Sequence, residues 1–234
     1  MEGGALRRLG WDDYEYEQEQ EEESQKRIAY LTGRLKFMPM IPALLLIVAA
    51  VAYRIVTGLA ITSGSTWLSN FAPLAAIALC AAAYFPKGYK FTVPIIALLI
   101  SDIVLNIHYG FSLLSPFVAS HYLGFILVGG LGLFLQRRAS LKTLLPASIA
   151  ASVIFYLVTN TVSWAFDPGY VKNLGGLFQA LTVGLPAHSA TPTWMFFRNS
   201  ILSDLLFTGL FVLCMHWGRS SETSRATSPV PHTV

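Results

Sequence analysis

The sequence of 234 residues is poor in charge, because Asp, Glu, Lys and Arg together make up only 12% of it. Soluble domains usually contain about 25% charged residues. Nine of the 13 acidic residues lie within the first 23 positions, and between residues 37 and 216 the only acids are Asp102, Asp167 and Asp204. Such a stretch could not keep a soluble surface hydrated, which excludes a soluble globular enzyme. The 54% content of hydrophobic residues excludes a disordered protein.

Several features of well-known sites are also missing. The two cysteines, Cys80 and Cys214, lie far apart in apolar runs and form neither a disulfide framework nor a metal-binding spacing. The net charge is only +3 and the basic residues form no patch, which excludes a nucleic-acid binder. The chain has no Gly-x-x-x-x-Gly-Lys-Ser/Thr loop for nucleotide phosphates and no His-Glu-x-x-His zinc motif. We therefore expect no cofactor.

Six apolar segments dominate the sequence, at residues 41–61, 71–85, 91–108, 115–135, 144–166 and 201–217. A membrane-spanning helix needs about 20 mostly apolar residues, and of the six segments the second is short. The segments are too continuously apolar for the alternating strands of a membrane barrel, so they should be helices. The sequence predicts an all-α, polytopic membrane bundle of six transmembrane helices over residues 37–218. The acidic tail 1–36 and the tail 219–234, rich in Ser and Thr, are predicted to be disordered.

The distribution of Lys and Arg predicts the orientation of the bundle. Thirteen of the 16 basic residues lie in the two tails and in the loops that follow the second and fourth segments. The opposite side has only Lys172 and Arg198, and Arg54 lies within a segment. Because basic residues favour the cytoplasmic side, both termini should lie in the cytoplasm.

Polar side chains within the segments gather at one depth when this orientation is applied. A charged residue at the centre of a membrane helix costs about 2.5–3.5 kcal/mol on insertion scales, so such residues usually serve a site. We predict an outward-facing, substrate-binding pocket under the long loop 167–197, and His121 lies at the same depth. The predicted site residues are Arg54, Asn70, Asp102, Asn106, His108, Asn160, Trp164, Arg198, Asn199 and Asp204.

The same residues also have a structural interpretation, in which they only hold helices together. It consists of ion pairs and interhelical hydrogen bonds, formed by Arg54 with Asp102, by Arg198 with Asp204, and by Asn106 and Asn160. The second segment adds a repeat of small residues every four positions at Ala72, Ala76 and Cys80. Small faces let helices approach closely, so this face would serve packing within the bundle or docking against another membrane subunit.

Several motifs resemble those of a known family. They are Asn70-Phe71-Ala72-Pro73-Leu74-Ala75-Ala76, Ser101-Asp102, Thr159-Asn160 with Trp164, and Arg198-Asn199 with Asp204. They resemble an uncharacterised family of bacterial six-helix membrane proteins, which in turn is similar to the S components of energy-coupling-factor (ECF) vitamin transporters. The likeness covers about residues 67–218. The first helix departs from the S-component pattern, because Ala49, Ala50 and Ala52 do not form an Ala-x-x-x-Ala docking motif.

The resemblance implies an ECF S-component-like fold in the bacterial cytoplasmic (inner) membrane. It also implies capture of a small molecule near the outer face and a transmembrane coupling subunit with ATPases as a partner, beside membrane lipid. The first hypothesis is therefore a transport subunit in which Arg54 and Arg198 hold a small polar or anionic ligand. The second is an intramembrane lipid-modifying enzyme that uses Asp102 and Asp204 as an acid–base pair. The third is a structural membrane assembly protein.

Overall fold

The computed structural model describes residues 20–26, 38–60 and 71–226, without the side chains of residues 60 and 221–226. Residues 20–26 are helical, and the predicted site residue Asn70 and most of the acidic tail lie outside the described residues. Seven longer helices follow, and no strand occurs in the described part of the chain. They are α1 (Ile41–Ala60), α2 (Leu74–Tyr84), α3 (Thr92–Tyr109), α4 (Pro116–Leu135), α5 (Leu141–Phe166), α6 (Leu174–Leu181) and α7 (Thr193–Ala226).

Five of these helices, α1, α3, α4, α5 and α7, are long and apolar enough to cross a membrane. The protein is therefore a multi-pass helical membrane protein. The second predicted span differs from expectation, because α2 has only 11 residues. At 1.5 Å per residue it is about 16 Å long, roughly half the thickness of the hydrocarbon core.

The short helix α2 is the centre of the bundle. All nine residues from Ala75 to Ala83 are buried, and α2 packs against α4, α5 and α7. Small side chains allow this: a Cβ added to Gly132 of α4 would lie 2.3 Å from the carbonyl oxygen of Leu79. Ala76 and Cys80 of the small-residue repeat thus pack inside the bundle and offer no docking surface for another subunit, whereas Ala72 precedes α2 and is half-buried.

Side-chain contacts give the directions of the helices. Arg54 of α1 contacts Ser101 and Asp102 of α3, and further along both helices the Tyr109 hydroxyl donates to the carbonyl of Gly58, so α1 and α3 are parallel. The helix α3 ends where Gly110 adopts a left-handed conformation at φ 70°. It then returns as the antiparallel α4, whose N-terminus is capped by the Ser115 side chain.

The helix α7 is longer at both ends than the predicted span 201–217. The helix α7 starts at Thr193 and continues to Ala226, so it includes Arg198 and Asn199 and extends into the predicted tail 219–234. The loop before it is correspondingly shorter than residues 167–197. It contains the short apolar helix α6. The side chain of Asn173 caps α6 by accepting a hydrogen bond from Gly176 N–H at 2.8 Å.

Candidate functional site

A wide pocket of about 610 Å³ opens at one end of the bundle. The C-terminal halves of α1 and α3, the N-terminal half of α4 and the segment after α5 meet there. Its apolar wall includes Leu105, Tyr109, Phe111, Phe117 and Val118. Its polar groups come from Arg54, Asp102, Asn106, Ser112, Ser115, His121, Ser163, Asp167 and His188. We call this the wide pocket.

An ion pair forms the floor of the wide pocket. Arg54 Nη2 lies 2.8 Å from Asp102 Oδ1, and Arg54 Nη1 donates to the hydroxyl of Ser101. Asp102 is only 1% exposed. A buried carboxylate in an apolar bundle needs a counter-charge, and Arg54 supplies it across the parallel α1–α3 interface. The structural interpretation of these two residues as an ion pair therefore agrees with the structure, and both residues still border the pocket.

His121 faces the second oxygen of this carboxylate. Its Nδ1 lies 4.0 Å from Asp102 Oδ2, beyond hydrogen-bond distance. Both atoms are buried, and neither has a hydrogen-bond partner among the described residues. The imidazole ring stacks on Phe155 of α5 with a centroid distance of 5.9 Å. The floor of the wide pocket thus contains an acceptor and a ring nitrogen that no described residue satisfies.

The segment between α5 and α7 contributes Asp167 and His188 to the lining of the wide pocket, and we call residues 167–190 of this segment the cover. Asp167 Oδ2 and His188 Nε2 are 2.7 Å apart, and Asp167 Oδ1 accepts a hydrogen bond from Gly169 N–H at 2.8 Å. Partial burial acts to raise the pKa of Asp167, but the bonds from Gly169 and His188 and the nearby Lys172 outweigh it and hold the pKa below its usual value. The carboxylate therefore stays ionised at neutral pH and ties the two ends of the segment together.

A second, smaller cavity of about 160 Å³ lies beside the wide pocket, and we call it the polar cavity. His121 and Ser163 line both spaces. One face of α5 supplies most of its polar wall, with residues spaced three or four apart. They are Ser152, Tyr156, Thr159, Asn160 and Ser163. The lining has no lysine or arginine among the described residues.

Asp204 of α7 lies at the wall of the polar cavity and is 2% exposed. Its Oδ1 accepts a hydrogen bond from the backbone N–H of Ala76 at 2.9 Å, in the first turn of α2. Its Oδ2 is hydrogen-bonded to the hydroxyl of Ser152 at 2.7 Å. The carboxyl group thus caps the short central helix, whose own N-cap residue, Pro73, makes no side-chain cap.

The structure divides the predicted site residues into separate places. Arg54, Asp102 and Asn106 line the wide pocket, whereas Asn160 and Asp204 line the polar cavity. His108 is exposed and packs its ring against Tyr109, outside both spaces. The remaining described residues serve local contacts: Trp164 Nε1 donates to Val171 O, and Arg198 donates to the side chain of Asn199.

Three expected pairings differ in the structure. Arg198 stacks over Trp194 and bonds Asn199, so it neither pairs with Asp204 nor joins Arg54 around one ligand. Asn106 and Asn160 donate to the carbonyls four residues earlier in their own helices, so these amide groups are not interhelical. Asp102 and Asp204 line different spaces, and no lining contains both, which gives no support to an acid–base pair.

Sequence reasoning missed several residues that complete these spaces. The predicted site residues did not include five that line one of the two spaces or contact a residue that does. They are Ser101, Ser152, Ser163, Asp167 and His188. The polar stripe on α5 was detectable, because its members recur at helical spacing within an otherwise apolar segment. The pairing of Asp167 with His188 was not, because it joins two positions of an irregular segment.

Comparison with known proteins identifies a family for the chain but no individual relative. Residues 36–226 match a family of unknown function, DUF6580. The expectation of an uncharacterised family is thereby confirmed. No curated protein and no solved structure matches the chain. The expected similarity to S components of energy-coupling-factor transporters and the bacterial origin therefore receive no support from these comparisons.

Proposed function

Since the chain belongs to DUF6580, a family of unknown function, we propose from its geometry that it is a membrane-embedded binding subunit for the uptake of a small molecule. The observation that carries the proposal is the floor of the wide pocket. A buried ion pair and a histidine nitrogen without a partner among the described residues lie at the base of a space of about 610 Å³. Ligand pockets usually measure about 300–1,000 Å³ and combine apolar walls with a few polar groups.

The pocket favours a ligand with a polar head and an apolar body. Arg54 and Asp102 neutralise each other, so the floor has little charge to spare for a simple anion. A group that both donates and accepts, such as a hydroxyl or an amide, complements Asp102 Oδ2 and the histidine ring. Leu105, Phe117 and Val118 would contact the apolar part. This refines the expected small polar or anionic ligand.

Orientation is the second part of the proposal. Five basic residues lie at or next to the helix ends opposite the wide pocket, namely Lys87, Lys90, Arg137, Arg138 and Lys142. The positive-inside rule then directs the pocket to the outside and both termini to the cytoplasm. Because α1 and α3 are parallel, the chain returns across the bundle between them, and we propose that α2 belongs to that sixth crossing.

Native mass spectrometry of the full chain, purified gently from its own membrane, tests the binding function. We expect a discrete small molecule to remain bound to the wild type and to be lost from Asp102→Asn. A steric variant, Ser163→Phe, should lose it too, because the added ring fills part of the space while both residues of the ion pair are kept. His108→Gln is the matched control, since His108 is exposed outside the pocket and this variant should retain the ligand.

Two results of the mass spectrometry would contradict the proposal. Retention of only bulk lipid in wild type and all variants alike would reject a specific ligand and favour the structural assembly hypothesis. A retained molecule that survives both Asp102→Asn and Ser163→Phe would reject the wide pocket as its site. The coupling subunit with ATPases stays a prediction, tested by whether a second membrane subunit is purified with the full chain.

A further inference from the structure

The polar cavity contains a group that the proposed binding function does not use. Asp204 is buried, borders a cavity of about 160 Å³ and accepts from a backbone N–H. Its described partners, Ala76 N–H and Ser152, are neutral, in contrast to Asp102 with its arginine. An ionised carboxylate without a counter-charge is costly inside a membrane, whereas a protonated carboxyl group is not.

The hydrogen bonds around Ser152 leave room for a proton on Asp204. Ser152 Oγ lies 2.9 Å from the carbonyl oxygen of Ser148 and 2.7 Å from Asp204 Oδ2. A serine hydroxyl has one proton, so it donates to only one of these two acceptors at a time. When it donates to Ser148, the contact with Asp204 is a hydrogen bond only if Asp204 is protonated and donates to Ser152.

This arrangement can gain and lose one proton without losing a contact at Asp204. With the proton bound, Asp204 donates to Ser152 and Ser152 donates to Ser148. With the proton released, the Ser152 hydroxyl turns and donates to the carboxylate, while Ala76 N–H continues to stabilise the other oxygen. Hydrogen bonds to an ionised carboxylate are the stronger kind, so they moderate the cost of the charged state.

The two spaces are neighbours, and their linings suggest a route to this site. The polar cavity and the wide pocket share His121 and Ser163, and His121 is the residue whose Nδ1 lacks a described partner. We propose that Asp204 is an exchangeable proton-binding site, which takes up and releases its proton through the polar cavity past His121. This inference goes beyond the proposed function and requires no particular ligand in the wide pocket.

The neighbouring titratable groups are few. The titratable residues on the helices around Asp204 are Cys80 on α2, Tyr156 on α5, His121 across the cavity on α4, and Tyr53 and Arg54 on α1. Arg54 is bound to Asp102, and α6 has no titratable residue. On α7 itself Arg198 contacts Asn199 and Trp194 instead. Among the described residues, Asp204 is thus the one carboxyl group in the lining of the polar cavity.

Infrared difference spectroscopy of the full chain in lipid nanodiscs tests the proposal. A protonated carboxyl group has a carbonyl stretching band, which shifts in D₂O. We expect such a band in the wild type, its disappearance as pH rises, and its absence in Asp204→Asn. It should persist in Asp102→Asn. Ser152→Ala should shift the band to higher frequency, because the carboxyl loses a hydrogen-bond acceptor, and this variant keeps the test available if Asp204→Asn does not fold.

The route is tested by the rate at which the band shifts after transfer to D₂O. His121→Phe keeps a ring to stack on Phe155 but removes both nitrogens, so exchange should slow at least tenfold. His108→Phe, outside both spaces, should exchange at the wild-type rate. An unchanged rate in His121→Phe would overturn the route. A wild type without the band, a band that survives Asp204→Asn, or one that ignores pH while the protein stays folded would overturn the proton site.

The two proposals fail separately. A titrating Asp204 band in a protein that retains no small molecule would refute the binding function alone. A retained ligand in a protein without that band would refute the proton site alone.

Discussion

The carboxyl oxygen Oδ1 of Asp204 accepts the backbone N–H of Ala76 at 2.9 Å, across 128 positions of sequence. A side chain of α7 thereby caps the short central helix α2. The first N–H groups of a helix have no partner within it, and inside a membrane water cannot satisfy them. Asp204 supplies that acceptor for Ala76 at the buried N-terminus of α2.

Removal of this cap should destabilise the bundle. Asp204→Ala leaves the buried Ala76 N–H without its acceptor, and we expect a loss of about 1–3 kcal/mol in the free energy of unfolding. Asp204→Asn should lose less, because its amide oxygen still accepts from Ala76 and its NH₂ group still donates to Ser152. Unfolding of both variants in mixed detergent, followed by circular dichroism, measures the difference. Equal losses of stability in the two variants would show that an acceptor oxygen at position 204 does not stabilise α2.

The contact between α4 and α2 should tolerate no side chain at Gly132. Its Cβ would lie 2.3 Å from Leu79 O, a backbone atom of a buried helix that cannot move aside. We expect Gly132→Ala to cost about 1–3 kcal/mol of stability. Gly130→Ala is the control on the same helix, because nothing lies within 4 Å of the added Cβ, and it should be neutral or slightly stabilising. Thermal unfolding compares them, and equal melting temperatures would contradict this packing.

Arg54 and Asp102 should behave as one unit. Either Arg54→Gln or Asp102→Asn leaves a buried charge unpaired, and breaking such a pair typically costs about 3–5 kcal/mol. The double variant contains neither charge, so its loss of stability should be well below the sum of the two single losses. A double-mutant cycle on the free energy of unfolding measures the coupling. Additive losses would mean that the pair does not form in the membrane.

The cover of the wide pocket should open when the bond between Asp167 and His188 is removed. Asp167→Asn should speed hydrogen exchange of the amides in residues 168–190, and exchange within α3 should stay unchanged. Lys142→Gln, a charge change at the opposite end of the bundle, is the control and should leave both regions as they are. Unchanged exchange in residues 168–190 would show that other contacts hold the cover.

The same bond sets the pH range in which the cover is stable. The pKa of Asp167 is lower in the folded protein than the usual value of about 4. Its contribution is therefore fully present above about pH 4 and is lost as pH falls through the lowered folded-state value. Pulse exchange at pH 7 and at acidic pH, corrected for the intrinsic rates, should show the difference between wild type and Asp167→Asn at pH 7. The difference should vanish only under strongly acidic conditions.

The sequence by itself determined the membrane environment and the helical class. Long apolar segments that lack charge can satisfy their backbone groups in lipid only as helices, so the bounds of α1, α3, α4 and α5 follow closely from composition. It also singled out Arg54, Asp102 and Asp204, because charged residues in such segments are rare and expensive. Residue counts alone were sufficient for these conclusions, since each depends on local properties of the chain.

The tertiary structure decided which polar residues meet. Asp204 is hydrogen-bonded to Ala76 and Ser152 and does not pair with Arg198. Asp102 and Asp204 line separate spaces. It also decided that α2 is a buried half-length helix, because its small residues let three neighbours close around it. Hydrogen bonds between distant positions depend on how helices pack in three dimensions, and the spacing of residues along one chain does not contain that information.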